Sequence, residues 1–327
     1  MLLSRKSLQR VLGALWLIDG ILQVQPRMFT GNMINGIMRP MLVGQPALLE
    51  LSLQYIVNQT TLHLVEVNLL IAFVQILLGL GFLLLSDHWV KELVIASFVW
   101  ALVVWYGGEG LSMLLTGTSS ILSGAPGAVL LYPLLGLAVW PRKRSRTAPP
   151  GAARTRDDGL LSRRMLRWVL SGFWFFAALL QAQPYWWQPG QISQTSSELL
   201  GNGGLDTVLV DPVLTWFSHA TANLEIPINI ALIVVFLAIG IGLTISGDKH
   251  LHPFLIASIV VSVLIWYFSQ ALGGILTGMA TDFNSGLLLV VMALAVWPRV
   301  GIKQSVHARY AHKVRQAYEE SKVESSA

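Results

Sequence analysis

The sequence predicts an all-α integral membrane protein of about eight transmembrane helices, arranged as two parallel four-helix repeats related by a pseudo-twofold axis along the membrane normal. Three observations predict it. The first is composition: 54% of the 327 residues are hydrophobic, only 12% are charged and mean hydropathy is +0.61. Soluble domains carry about 25% charged residues, so apolar runs of this length call for a bilayer as solvent. The second is self-similarity. LGALWLIDGILQVQP (Leu12 to Pro26) matches LSGFWFFAALLQAQP (Leu170 to Pro184), and IASFVWALVVWYGGEGLSMLLTG (Ile95 to Gly117) matches IASIVVSVLIWYFSQALGGILTG (Ile256 to Gly278). Both copies close on AVWPR, at Ala138 to Arg142 and Ala295 to Arg299. The third is the placing of cations: every one of the 22 Lys and Arg except Arg27 and Arg39 falls on one expected face.

The elements follow in order. In the first copy the apolar helices are expected near 9–25, 63–85, 91–115 and 125–140. In the second they are expected near 167–183, 222–245, 252–276 and 284–297. Helix is the spanning element because lipid satisfies no exposed backbone polar group. Arg5, Lys6 and Arg10 before the first run resemble a signal peptide's basic region, yet no small-residue cleavage site follows and the segment recurs in mid-chain; it reads as a retained helix. Between the first two helices of copy one, Met33, Ile34, Ile37, Met38 and Met41 make an apolar stripe expected of an interfacial helix, with copper(I) thioether ligation the lesser alternative. The matching loop in copy two carries Tyr185, Trp186 and Trp187, an aromatic belt. Glycines at 79, 81, 107, 108, 110, 273 and 274 are expected to let helices approach closely.

The resulting organisation is a first membrane repeat at 1–142, a basic Pro/Gly-rich cytoplasmic linker at 143–166, a second repeat at 167–299 and a cytoplasmic tail at 300–327. By the positive-inside rule both termini are cytoplasmic, and the lack of cysteine and of a cleavable signal suits a prokaryotic inner membrane. The same rule accounts for the net charge of +5, so no nucleic-acid partner is called for. The chain has no cysteine, which excludes disulfides, thiol redox chemistry, iron–sulfur clusters and zinc–thiolate sites within it.

No P-loop, dinucleotide fingerprint, metalloprotease helix or nucleophile elbow occurs, and catalytic residues are not identifiable. Ionisable groups inside a membrane are the candidates by default. Asp19, Glu66 and Glu109 are expected in the outer half of the bilayer, as a proton relay or a polar pocket. The structural alternative is that they bond helix backbones or reach headgroups. Leu12, Trp16, Asp19 and Gln23 share one helix face; copy two has Leu170, Trp174, Ala177 and Gln181 there, and Gln270 where copy one has Glu109. Glu225 sits near the Glu66 position. The charge thus falls mainly in the first copy, which is expected to hold the polar site while the second supports it. Gln23 and Gln25, with Gln181 and Gln183 opposite, form a repeated Gln-x-Gln-Pro that either bridges helices or orients a polar headgroup. His63 and His219 are the weak candidates for haem ligation, and no metal site is expected.

A four-helix membrane unit opening on a basic residue, then Leu-Gly and an aromatic-rich helix, resembles the DoxX-like families. The residues that carry the resemblance are Arg10, Leu12, Gly13, Trp16 and Gly20, and again Arg167, Leu170, Gly172 and Trp174. It covers each half once, so the whole looks like a fused pair. Those families include subunits of thiosulfate:quinone oxidoreductase, and the resemblance implies a quinone-linked role with a headgroup pocket between helices, a non-covalent quinone and a redox protein partner. In that role Asp19, Glu66 and Glu109 handle protons while Gln23 and Gln25 orient the headgroup. A small-solute or ion transporter, and a membrane assembly factor without chemistry, are the rival readings.

Overall fold

In the computed structural model, residues 3–141, 159–201 and 203–298 are described. Residues 142–158, which include most of the linker, and residues 299–327, which include the tail, lie outside the described residues, together with the cations counted there. Twelve α-helices run through the described residues, among which no strand occurs. The first half contains α1 (Arg5–Gln23), α2 (Ala47–Leu62), α3 (Leu64–Leu84), α4 (Val90–Gly107) and α5 (Ala128–Val139). The second contains α6 (Arg163–Gln181), α7 (Gln191–Ser197), α8 (Asp206–Leu209), α9 (Asp211–Thr221), α10 (Glu225–Ile245), α11 (His252–Phe268) and α12 (Asn284–Val296).

Local chemistry sets the ends of α1 and α6. Ser4 caps α1 by accepting from the Ser7 N–H at 3.0 Å, and Ser162 caps α6 by accepting from the Met165 N–H at 3.3 Å. Each helix stops inside its Gln-x-Gln-Pro, because proline supplies no donor and pushes the preceding residue out of the helical region. A short 3₁₀ turn then starts at Pro26 and at Pro184.

Small residues then bring neighbours close. A Cβ added at Gly79 of α3 would lie 2.5 Å from the Leu17 nitrogen of α1, so the contact exists only with glycine there. In the second half Ser171 of α6 donates to the Gly240 carbonyl of α10 at 2.8 Å. The same indole contact occurs twice: Trp16 Nε1 donates to Ser97 Oγ at 3.0 Å, and Trp174 Nε1 to Ser258 Oγ at 3.0 Å. So does a basic clasp at the end where the chain starts. Arg5 and Lys6 bridge Asp87 at 2.9 and 2.5 Å, while Arg163 and Arg167 reach Asp248.

Two expectations are corrected. The helices expected to run on to 115 and 276 end at Gly107 and Phe268, where the chain turns through left-handed residues at Leu111 and Ser112 and at Leu272 and Gly273. The loop after α1 holds more than a Met stripe. It has a π-helical turn at Met33–Met38 followed by the sixteen-residue α2, and in the second half α7, α8 and α9 occupy the corresponding stretch. The tips of these loops define what we term the loop end of the bundle.

Among the described residues three segments are long and apolar enough to cross a membrane, at Leu64–Leu84, Asp87–Gly107 and Glu225–Ile245. Ala128–Val139, His252–Phe268 and Asn284–Val296 are apolar but shorter. Their outward faces are oily. Leu69, Phe73 and Leu77 of α3, Ile95 and Val99 of α4, Val234 and Ile241 of α10, and Ile256 and Val260 of α11 are all exposed. Apolar surface on this scale is compatible with a lipid environment and foreign to an isolated water-soluble chain.

Candidate functional site

A cavity of about 260 Å³ lies in the first half, walled by α1, α3, α4 and α5 and roofed by the Met33–Met38 turn and α2. Asp19 and Gln23 reach it from α1, Gln75 from α3, Trp100 from α4, Glu109 from the turn after α4 and Tyr132 from α5. Thr281 and Asp282, in the loop before α12, close it from the second half. Thr60 of α2 adds a buried hydroxyl, and the rest of the wall is mostly apolar: Met33, Ile37, Met38, Ile56 and Ile71 contribute. Leu70 and Val103, also on the wall, are 56% and 53% exposed, so the space between α3 and α4 reaches the oily outer face of the bundle.

Asp19 is held by its neighbours rather than by a cation. Tyr132 donates its O–H to Asp19 Oδ2 at 2.5 Å, and the Tyr132 ring packs 4.4 Å from that of Trp16. Asp19 Oδ1 is buried without a hydrogen-bond partner among the described residues, as are Gln23 Oε1, Gln75 Oε1 and the Trp100 indole nitrogen. Glu109 is fully engaged. Its Oε2 accepts from Ser112 at 2.8 Å, and Oε1 accepts from the Val129 N–H at the start of α5 at 3.4 Å. Gly127 (φ +115°) must be glycine, since a Cβ there would stand 2.2 Å from Glu109 Oε2. Asp282 takes the Asn284 N–H at 2.5 Å and the Thr281 hydroxyl at 3.0 Å. No Lys, Arg or His lines the cavity.

Of the candidates, Asp19, Gln23 and Glu109 meet at the cavity, and Glu66 does not. Glu66 is exposed in the first turn of α3, where a carboxylate complements the positive end of the helix dipole. Gln25 turns away toward the second half, where its Oε1 lies 3.8 Å from the place a Cβ at Gly278 would take. The second-half counterparts are structural ties. Gln181 accepts from Ser120 Oγ at 2.6 Å and donates to Asn229 at 2.8 Å. Gln183 donates to the Ser119 carbonyl at 3.4 Å. Glu225, buried at the start of α10, accepts from the Gly190 and Asn223 N–H groups at 2.9 and 3.3 Å. Gln270 repeats the Glu109 arrangement with an amide, accepting from the Gly286 N–H at the start of α12 at 3.1 Å and donating to the Ile121 carbonyl at 2.9 Å.

His63 and His219 are exposed and far apart in kind, one between α2 and α3 and the other on α9. No group of three or more His, Asp or Glu arranged for a metal occurs among the described residues. Sequence reading missed Tyr132, Gln75 and Asp282. A lone Gln inside the apolar run of α3 was the available signal for Gln75; Asp282 gave none, since it lies in a loop outside any apolar helix.

Outside this site one further acid stands out. Asp206, in the loop region between α7 and α9, is buried with neither carboxylate oxygen partnered among the described residues. Burial, with the Asp211 charge adding to it, raises its pKa above the ordinary carboxylate range. No protein-family model, no curated protein and no solved structure matches the chain.

Proposed function

We propose that the chain is a multi-pass membrane protein of two tandem four-helix repeats, both termini cytoplasmic, that serves an electron-transfer system as a quinone-linked membrane subunit. The observation that supports this reading is the cavity between α1, α3, α4 and α5. It joins an oily wall, reachable between Leu70 and Val103, to a buried cluster of polar atoms around Asp19. Ligand pockets start at about 300 Å³. A space of 260 Å³ suits a ring-sized head whose tail stays among the lipids. The resemblance to DoxX-like families points the same way. The residues fit such a head: aromatic and aliphatic side chains for the ring, and the Gln23 and Gln75 amide N–H groups for its carbonyl oxygens.

A quinone couple would supply the electron-carrying chemistry, and a protein partner the electrons. The chain's own residues have other tasks. Tyr132 orients Asp19, Gln23 and Gln75 present amides to the ring substituents, and Glu109 fixes the start of α5 as well as facing the cavity. Asp19 is the group placed to take or give a proton at the ligand.

Purification in mild detergent, followed by solvent extraction and mass spectrometry, tests the reading. A quinone-class lipid retained near one per chain, and lost in Gln75→Phe, is the expected result. A ligand-free parent protein that also binds no added quinone or hydroquinone would overturn it.

A second reading, transport of a small solute or ion, is favoured by one observation: Asp282 of the second half faces the same cavity as Asp19 of the first. Transporters place their substrate sites between repeats in this manner. Solute or ion flux in reconstituted vesicles that disappears in both Asp19→Asn and Asp282→Asn would put transport first.

A further inference from the structure

Each half carries, in the loop after its first long helix, a helical segment with two apolar faces. In the first half this is α2. Its inner face puts Leu53 and Val57 into a buried cluster with Met33 and Met38, and sets Ile56 and Thr60 on the cavity. Its outer face carries Leu48, Leu51, Tyr55 and Leu62, whose spacings of three, four and seven residues place them in one row. In the second half α8 and α9 take this part. Val210 and Leu214 pack inward with Phe268 and Leu276, while Leu205, Val208, Leu209 and Trp216 lie outward. The outward side chains range from 56% exposed at Leu209 to 85% at Leu48.

Both segments are fastened alike. Tyr106 and Tyr267 close the matching Trp-Tyr pairs near the ends of α4 and α11. Tyr106 Oη and Ser52 Oγ share a hydrogen bond at 2.6 Å, and Tyr267 donates its O–H to the Leu209 carbonyl at 3.3 Å. Phe217 of α9 also stacks on Phe268, with ring centroids 4.6 Å apart. Exposed apolar residues then continue along the chain, from Leu62 into Val65 and Leu69 of α3, and after α9 into Leu224, Ile226 and Ile230 of α10. No Lys or Arg stands between Arg39 and Lys91, or between Arg167 and Lys249, so neither row is built to seek an anionic surface.

We propose that α2 and α8–α9 lie in the membrane–water interface at the loop end, with their outer rows seated in lipid and held there by apolar contact alone. The proposal rests on the membrane reading above and is independent of the quinone-linked one. Lipid is the occupant because each row is continuous with the oily side of the long helix that follows it, and because the feature occurs once in each half. A bilayer surrounds both halves; a single partner protein has no reason to find the same surface twice. Tyr55 and Trp216 suit that depth, and the exposed Glu50 and Thr61 leave α2 a polar edge for water. The Met33–Met38 turn, expected at the interface, is buried beneath α2 instead.

The chain has no cysteine, so one introduced cysteine takes a nitroxide label without background. Leu51→Cys, Leu62→Cys, Val208→Cys and Trp216→Cys, all at exposed positions, are labelled in the full chain and reconstituted in phosphatidylcholine vesicles. Spin relaxation is read with oxygen, which concentrates in lipid, and with a water-soluble nickel chelate. Phe73→Cys on the outer side of α3 is the lipid reference and Glu50→Cys the water reference. The four labels are expected to match Phe73, relaxed more by oxygen than by nickel, and to keep those values when phosphatidylglycerol is added. Labels that read water while Phe73 reads lipid overturn the proposal and leave the membrane reading standing. Labels shielded from both reagents, as beneath a second copy or another protein, overturn lipid as the occupant. A lipid reading that appears only with phosphatidylglycerol overturns apolar contact as the means. A Phe73 label that reads water overturns the membrane reading and the proposal together.

Discussion

Where the first half of the bundle lines its cavity with Asp19, Gln75 and Tyr132, the second half carries apolar side chains at the corresponding places. On α1, Asp19 stands one turn below Trp16; the residue so placed below Trp174 on α6 is Ala177. On α3, the step from Asn68 leads to Gln75, and the same step from Asn229 on α10 leads to Phe236, whose ring packs 5.3 Å from that of Trp174. Where α5 offers Tyr132, α12 offers the buried Leu289. Meanwhile the framework around each place is alike: the indole-to-serine bond, the basic clasp and the left-handed turn all occur in both halves. The difference teaches that the packing needed to hold the bundle together is separable from the polar groups at the cavity. Those groups are not required by the architecture, since the second half does without them.

That contrast can be broken by exchange. The largest effect is expected for Ala177→Asp, which would set a carboxylate in the buried apolar cluster that also holds Trp174, Phe236 and Leu289. An uncompensated buried charge of this kind costs about 3–5 kcal/mol. Thermal unfolding in detergent should show a large drop, against a small one for Asp19→Ala; equal drops would mean that the two places are alike after all. A middle-sized effect is expected for Tyr132→Phe. It leaves Asp19 Oδ2 without its donor and should cost about 1–3 kcal/mol, measured in the same way. No change would mean that the 2.5 Å bond does not hold Asp19.

The smallest effect lies away from the cavity and serves as a control. The Asp206 pKa is raised in the folded chain by burial and then by Asp211. The folded state therefore holds that proton to higher pH than the unfolded one does, and stability is lost as pH rises from the ordinary carboxylate range through the folded pKa. Asp206→Asn, which carries no charge at any pH, should melt higher than the parent at neutral pH, with the gap closing on acidification. A gap that widens in acid would sink this account.

How much of this the sequence disclosed depends on where each residue lies. Asp19 and Gln23 were legible because an acid and an amide sharing a face with Trp16 interrupt an otherwise oily helix. Glu109 was legible for the same reason, though its duty at the start of α5 was not, since that bond joins residues on different elements. Tyr132 hid within AVLLYPLLG, where an aromatic reads as one more apolar side chain. Asp282 hid in a loop, and only the folding of the second half against the first brings it to Asp19. Glu66 misled because the first turn of a helix tolerates an exposed acid as readily as a buried one. The helix α2 was passed over because Gln54, Asn58 and Gln59 break up its hydropathy, although its backbone runs on nearly into α3.

The ties at the loop end bear on motion. Ser120 to Gln181, Gln270 to the Ile121 carbonyl, Arg27 to the Thr277 carbonyl and Trp186 to the Ser119 carbonyl each span the two halves, and each involves a buried or half-buried group. They act as rivets on one rim. A rocking of one half over the other that opened this rim would strand several such groups at once. The side of the cavity that carries none of these ties is the one lined by Leu70 of α3 and Val103 of α4, both exposed on the bundle's surface.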